Sequence, residues 1–311
     1  MKQRTFIIGN GFDLDLGLNT SYRKFVESTL WPINTTDIER SSLASQLEKD
    51  TKENWFDLED SLCNYAESSR TRIINTGTFN YDKQVYLKIK EALFAFIRNH
   101  ERIEPQKESM AANVLRKLAS FGVFGNILSF NYTDLDLICN KIGCNRIKYN
   151  HVHGSCASNS IIMGVSNSYK LKQDYDYMYK AFDPKYNSPN VRYTLQDVDE
   201  VVFYGHSLGR QDFDYFQDFF KSCSREGMRK EDSVNITFFT KDEDSEGLLK
   251  RQLNNLIPGG YGRFVDSNRV VFIHTNDKDS EALKKFFFRM DEIQKEIIRQ
   301  RSGRGIRVGR T

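Results

Sequence analysis

Long apolar runs and paired cysteines are missing from this chain of 311 residues. No window approaches the roughly 18 uninterrupted apolar residues of a membrane-spanning helix, so we expect none. The apolar run that begins at Phe6 is too short for a signal peptide. The five cysteines include no CxxC pair, which argues against structural zinc, and their odd number fits reduced thiols. We therefore expect a cytoplasmic protein without a metal site or a membrane partner.

A strong net charge is missing too: the chain has 45 basic and 42 acidic residues, which gives a net charge of +3. Residues 299–311 hold five arginines and no acid, so the rest of the chain, with 40 basic and 42 acidic residues, carries −2. A nucleic-acid-binding domain normally has a basic face within its folded part. Nucleic acid is thus not an expected partner, and residues 301–311 are predicted to form a flexible basic tail.

The apolar residues, 39% of the chain with 23 Phe and 15 Tyr, suffice for a large core. After residue 130, predicted strands alternate with helices, as at 200–204, 212–225, 234–240, 245–256, 269–274 and 279–299. Such alternation indicates an α/β, Rossmann-like parallel sheet with helices on both faces. A first strand at 4–8 is followed by a largely helical insertion at about 36–120. We expect one domain over residues 1–300, with ligands at the carboxyl ends of its strands.

The first strand ends in the turn Gly9-Asn10-Gly11, followed by Phe12 and Asp13. Glycines at this position let backbone N–H groups approach a phosphate. The third glycine of the usual dinucleotide-binding pattern is absent, since position 14 is a leucine, so a plain tight turn is the alternative.

Two further motifs follow predicted strands. Asn131, after the apolar segment 123–130, carries an amide that can both donate to and accept from a sugar or a water; capping of the next helix is the alternative. In the predicted strand 147–153, His151 and His153 share one face and Gly154 follows. A histidine near its ordinary pKa can act as a general base at neutral pH.

A fourth motif, Gly205-His206-Ser207-Leu208, follows the predicted strand 200–204. Gly205, Ser207 and Gly209 also fit the G-x-S-x-G pattern, which makes a serine hydrolase one alternative. That mechanism needs a later histidine, and His274 is the only one in the sequence.

The ordered series of motifs over residues 6 to about 216 resembles the AbiH family of bacteriophage abortive-infection proteins. The motifs that carry this resemblance are Ile8-Gly9-Asn10-Gly11-Phe12-Asp13-Leu14, Thr20-Ser21-Tyr22, Trp55-Phe56-Asp57-Leu58-Glu59, Phe130-Asn131-Tyr132-Thr133, Val152-His153-Gly154, Gly205-His206-Ser207-Leu208 and Asp212-Phe213-Asp214-Tyr215-Phe216.

The same motifs are more distantly similar to sirtuin-like NAD-binding domains. This similarity implies that the turn from Gly9 to Gly11 holds a pyrophosphate, and that Asn131 and His153 form a catalytic pair. It further implies that Gly205, Ser207 and Leu208 contact the adenosine. The flanking residues complete the expected NAD-binding set: Phe12, Asp13, Tyr132, Gly154 and His206. No role is assigned to Glu59 beyond a carboxylate near the ribose.

Two departures from the sirtuin-like pattern bear on activity. Thr133 stands where an acid is usual, with Asp134 one residue late, and this favours binding without catalysis. The cysteine-based zinc module of deacetylating sirtuins is absent, which argues against protein deacetylation.

The resemblance predicts an antiphage protein that hydrolyses NAD to nicotinamide and ADP-ribose. The alternatives are a non-catalytic nucleotide sensor or assembly module and, resting on the arginine-rich tail, a nuclease. An enzyme that depletes NAD must be silent until it is triggered, so we expect a phage-derived or cellular activator, and self-association as a homo-oligomer. The segments 36–120, 169–193 and the tail are candidates for this control.

Overall fold

One parallel sheet of six strands forms the centre of the protein, in the order β3-β2-β1-β4-β5-β6. The computed structural model describes residues 3–52, 57–68, 76–187, 190–257 and 259–305. Its strands are β1 Arg4–Ile8, β2 Asn126–Ser129, β3 Asn150–His151, β4 Glu200–Tyr204, β5 Asn235–Thr240 and β6 Arg269–His274. The sequence-based prediction of an α/β, Rossmann-like parallel sheet is confirmed.

The helices before β4 are α1 Asn10–Asp15, α2 Tyr22–Val26, α3 Thr35–Arg40, α4 Ser42–Asp50, α5 Leu58–Ser68, α6 Thr76–His100, α7 Met110–Phe121, α8 Leu135–Ile142 and α9 Val191–Thr194. Those after β4 are α10 Gln217–Ser222, α11 Glu243–Leu256, α12 Gly260–Ser267 and α13 Glu281–Gly305. None of the helices in the described ranges combines the length and the apolar character that a membrane crossing requires.

The strand order places β1 between β2 and β4: β2 and β3 follow on one side of β1, and β4, β5 and β6 follow on the other. Ile8 at the end of β1 is in register with Ser129 of β2 and with Tyr204 of β4. The segments that follow these three strands therefore emerge at one edge, at the point where the strand order reverses. In open parallel sheets this is where ligands bind.

Alternate residues of β1 face two different cores, as expected of a strand buried on both faces. Phe6 and Ile8 pack with α7, α8 and α13, whereas Ile7 packs with α10, α11 and α12. A third apolar core joins α4, α5 and α6 to residues 161–178. Since α7 belongs to the sheet's core, the helices of the segment 36–120 do not all pack together. The domain limits stay a prediction.

The predicted strands 4–8, 200–204 and 269–274 match the structure. The predicted strand 147–153 shrinks to Asn150–His151, because it is an edge strand that pairs with β2 over two residues only. The predicted helix 212–225 is broken into a 3-10 turn, Phe213–Tyr215, and the short helix α10. Helix α12 was not predicted, and α13 runs through Gly305. Trp55, Phe56 and residues 306–311 lie outside the described residues.

Candidate functional site

The glycine turns that follow β1 and β4 pack directly against each other. A Cβ atom on Gly9 would lie 2.5 Å from the Cα of His206, and one on Gly11 would lie 2.6 Å from the Cα of Gly205. The N–H of Gly9 donates to the Tyr204 carbonyl at 2.9 Å, and that of Gly11 to the Gly205 carbonyl at 2.9 Å. These glycines thus permit a close approach of two backbones. In this arrangement their N–H groups are engaged within the protein.

A buried carboxylate, Asp13, lies beside the first turn and collects hydrogen bonds from three segments. The Asn131 amide donates to it at 2.7 Å, the Thr20 hydroxyl at 3.1 Å, and the Thr133 hydroxyl at 3.0 Å. Asn10 donates in turn to the Thr20 hydroxyl at 2.9 Å. Burial raises the pKa of Asp13 to about 6, despite these donors.

This network explains why a threonine stands at position 133. A carboxylate there would face Asp13 at hydrogen-bond distance, whereas the Thr133 hydroxyl donates to both oxygens of Asp13. Both amide hydrogens of Asn131 are used, since its second bond goes to the Gly9 carbonyl at 3.0 Å. The alternative that Asn131 caps the next helix is wrong, because Asp134 caps α8.

A second group of polar side chains, which we call the charged cluster, surrounds Lys180. The Lys180 ammonium lies 2.9 Å from a carboxylate oxygen of Glu59 and 2.9 Å from one of Asp212. It also lies 3.4 Å from Nε2 of His153. His206 completes the cluster, with Nε2 3.9 Å from Asp212. Lys180 is 3% exposed, whereas the side chain of Asp212 is 20% exposed and is the member that reaches solvent.

The pKa values of the two carboxylates of the charged cluster are shifted in opposite directions. Burial raises the pKa of Glu59 to about 7, although the Lys180 charge lowers it. Burial also raises the pKa of Asp212, but the charge and hydrogen bond of Lys180 together with His153 and His206 outweigh it and hold that pKa well below its ordinary value. Asp212 therefore stays ionised, while Glu59 exchanges its proton near neutral pH. Pairs of acids whose pKa values are driven apart in this way are typical of catalytic sites.

The two histidines of the cluster are neutral. Burial and the Lys180 charge lower the pKa of His153 to about 3, and burial lowers that of His206 to about 4. The expectation that His153 titrates near its ordinary pKa is therefore not met. The Phe130 ring packs against both imidazoles, with its centre 5.4 Å from that of His153 and 4.5 Å from that of His206.

A cavity of about 230 Å³ lies beside the charged cluster. The lining residues that matter here are Lys180, Tyr186, Arg192, Gln211, Asp214 and Tyr215. The His153 imidazole lies behind this lining, against Lys180 and with its ring 5.9 Å from the ring of Tyr215. Within the described ranges, no three His, Cys, Asp or Glu side chains are grouped as a metal site would require.

The profile of a family described as "Bacteriophage abortive infection AbiH" matches residues 5–231. The chain belongs to the AbiH family. No curated protein matches it. The matched region contains both glycine turns, the Asp13 network and the whole charged cluster, and it ends before β5. The AbiH resemblance seen in the sequence is thus confirmed, and the family's description gives the chain a role in bacteriophage abortive infection. The similarity to sirtuin-like domains stays a prediction.

Several predicted site residues of this AbiH chain shape the strand ends without pointing into the cavity. Phe12 is buried with its ring 5.1 Å from that of Tyr204, and the Tyr132 hydroxyl donates to the Ile162 carbonyl. Gly154 has a φ of +71°, and a Cβ atom there would lie 1.6 Å from the Ser160 carbonyl oxygen. Only glycine fits that position.

The structure places the residues of the Gly205–Leu208 motif and the histidine that a serine hydrolase would need. Leu208 is buried and its carbonyl accepts from the Gln252 amide at 2.6 Å, whereas Ser207 is exposed. Nε2 of His274 lies 2.7 Å from a carboxylate oxygen of Glu246. His274 thus has an acid partner at the end of β6, as the hydrolase alternative requires, but no hydrogen bond among the described residues joins its ring to Ser207. The hydrolase alternative stays a prediction.

Sequence reasoning missed the centre of the charged cluster. Lys180 lies in the tyrosine-rich segment 169–193, where no spacing rule singles out a lysine. Asp212 belongs to the motif Asp212-Phe213-Asp214-Tyr215-Phe216, but the sequence assigned it no function. Glu59 lies in the first turn of α5, and the Asp57 side chain caps that turn by accepting a hydrogen bond from the Glu59 N–H. The α5 helix therefore brings its acids to the strand ends from the helical insertion.

Proposed function

We propose that this AbiH chain hydrolyses NAD to nicotinamide and ADP-ribose during bacteriophage abortive infection. The observation that carries the proposal is the charged cluster. It combines an ionised carboxylate, Asp212, with an acid that titrates near neutrality, Glu59, at the switch point of a parallel sheet. Nucleotides bind at that point in related architectures.

The chemistry of the reaction fits these residues. As the bond between nicotinamide and ribose breaks, positive charge develops on the sugar, and a nearby carboxylate stabilises it. In the proposal Asp212 supplies that charge. Glu59 accepts the proton released when water attacks the anomeric carbon. General-base assistance of this kind is worth about 10²–10⁴-fold in rate.

In the proposal His153 lies at the reacting end of the nucleotide as a neutral group, and Asn131 acts by positioning. His153, with its pKa lowered to about 3, offers a hydrogen bond rather than a base. Asn131 holds the segment after β2 against Gly9 and Asp13, and so fixes the position of the neighbouring strand end.

The size of the cavity supports an inactive resting state. Its volume of about 230 Å³ is below the roughly 300–1,000 Å³ of pockets that enclose a typical ligand. Lys180 and Tyr215, which line the cavity, separate it from His153. A dinucleotide can therefore reach His153 only if these lining residues shift. An activator would act at this opening step, and conformational steps of this kind commonly control turnover.

The test is nicotinamide release from NAD by the purified full chain, alone and with an extract of phage-infected cells. Asp212→Asn should lower the rate by about 10²–10³-fold, and Glu59→Gln by about 10²–10⁴-fold. Asp218→Asn, which makes the same charge change at an exposed position on α10, should behave as wild type. Equal rates in all variants would refute the assignment.

A nucleotide sensor or assembly module without catalysis is the second candidate. It is favoured by the engagement of both Asn131 amide hydrogens within the protein, which leaves that amide no donor for the reacting end of the nucleotide. In this case NAD would bind and be recovered intact, with no nicotinamide released under either condition.

A further inference from the structure

Arg192 lies at the cavity with a charge that no described carboxylate neutralises in an ion pair. It belongs to the one-turn helix α9, which is anchored by the buried side chain of Val191. Its Nε donates to the backbone carbonyl of Asp214 at 3.1 Å, and this bond orients the guanidinium. The residue itself is exposed. An oriented, accessible arginine next to a cavity is suited to an anionic ligand.

The cavity's other basic residue cannot serve an anion in the same way. The Lys180 ammonium is already bound by Glu59 and Asp212, both at 2.9 Å. Asp214, also in the lining, accepts a hydrogen bond from the Ser166 hydroxyl. Asp214 is the one carboxylate among the described residues that line the cavity, and Glu59 and Asp212 hold the Lys180 charge next to it. This part of the cavity therefore disfavours a phosphate and favours a cationic group. Positive charge that is open to a ligand is found at Arg192.

We infer that Arg192 binds a phosphate of the nucleotide, while the nicotinamide riboside end enters the cavity. The inference rests on the proposed function and specifies how the substrate is oriented. The terminal amino groups of a guanidinium pair with two phosphate oxygens at once. The cationic nicotinamide ring then faces the carboxylate of Asp214, with Asp212 next to it on Lys180. The ligand class is thus a phosphorylated N-riboside of a cationic base.

The test measures binding by titration calorimetry to the full chain, using nicotinamide riboside, nicotinamide mononucleotide and NAD as probes. The variants are Arg192→Ala and Arg210→Ala. Arg210 is exposed as well, stacks on Tyr169, and does not line the cavity, so it controls for the loss of one positive charge. Because Arg192 is exposed, its variant should melt at the wild-type temperature, which a thermal scan verifies.

Arg192→Ala should weaken binding of the two phosphorylated probes by about 10- to 100-fold and leave nicotinamide riboside unchanged. Arg210→Ala should change none of the three. Equal losses for all three probes, or no loss for NAD, would overturn the inference, and nicotinamide release by wild type would still support the proposed function. Arg192-dependent binding without nicotinamide release would uphold the inference and refute hydrolysis. No binding of any probe to wild type would refute the inference, and nicotinamide release in the presence of the phage extract would then decide the proposed function separately.

Discussion

Replacing Lys180 with methionine removes the charge at the centre of the charged cluster at nearly constant side-chain volume. Glu59 and Asp212 each lose a partner at 2.9 Å. Breaking a buried ion pair costs roughly 3–5 kcal/mol. Since the Asp212 side chain is 20% exposed and regains some hydration, we expect the low end, about 3 kcal/mol. Urea unfolding followed by circular dichroism at pH 8 measures this difference.

The pH dependence of this effect has a definite sign. Burial raises the pKa of Glu59 from 4.5 to about 7 in the folded state, so folding favours its protonated form and loses stability as pH rises toward 7. Without Lys180, which lowers that pKa, the charged form of Glu59 is penalised further. The cost of Lys180→Met should therefore be larger at pH 8 than at pH 6, and Glu59→Gln in the same chain should recover part of it.

Lys88 is the matched control, because it pairs with Asp37 at 2.8 Å but is 50% exposed. Exposed pairs contribute about 0–1 kcal/mol, so Lys88→Met should have little effect. If Lys180→Met and Lys88→Met destabilise the protein equally, or if the Lys180 effect is the same at both pH values, the electrostatic account of the charged cluster is wrong.

Three further changes test the strand ends by urea unfolding. Gly9→Ala should cost about 1–3 kcal/mol through its clash with His206. Gly262→Ala, with open space around it in α12, should instead stabilise the protein by about 0.5–1 kcal/mol. Thr133→Asp should cost about 3 kcal/mol because it sets a second carboxylate against Asp13; an unchanged stability would contradict the network. Burial raises the pKa of Asp13 from 3.8 to about 6, so wild type should lose up to about 3 kcal/mol relative to Asp13→Asn between pH 4 and 7. A constant difference would refute that pKa.

The strands and the convergence of the motifs were predictable because both depend on local pattern. A buried run that ends in glycine marks the end of a strand, and parallel strands bring their ends to one edge. This reasoning placed Gly9, Asn131, His153 and Gly205 at the same edge of the sheet, as the register shows.

The partners of these residues were not predictable from local pattern. Glycine serves a phosphate or a second backbone equally well, since both need the absence of Cβ, so Gly9 and Gly11 did not reveal that they face Gly205. Lys180 meets Glu59 through packing of the segment 161–178 against α5 and α6, which no spacing rule encodes. Burial lowers the pKa of His153, and this burial also arises from the packing of segments that are distant in the sequence.

The claim that NAD binds at the charged cluster is tested most directly by the position of uncleaved NAD in a structure of the Asp212→Asn chain. The account predicts that the nicotinamide ribose lies beside Glu59 and Lys180, with the pyrophosphate toward Arg192. A dinucleotide bound away from the carboxyl ends of β1 and β4, or with its pyrophosphate turned away from Arg192, would contradict it.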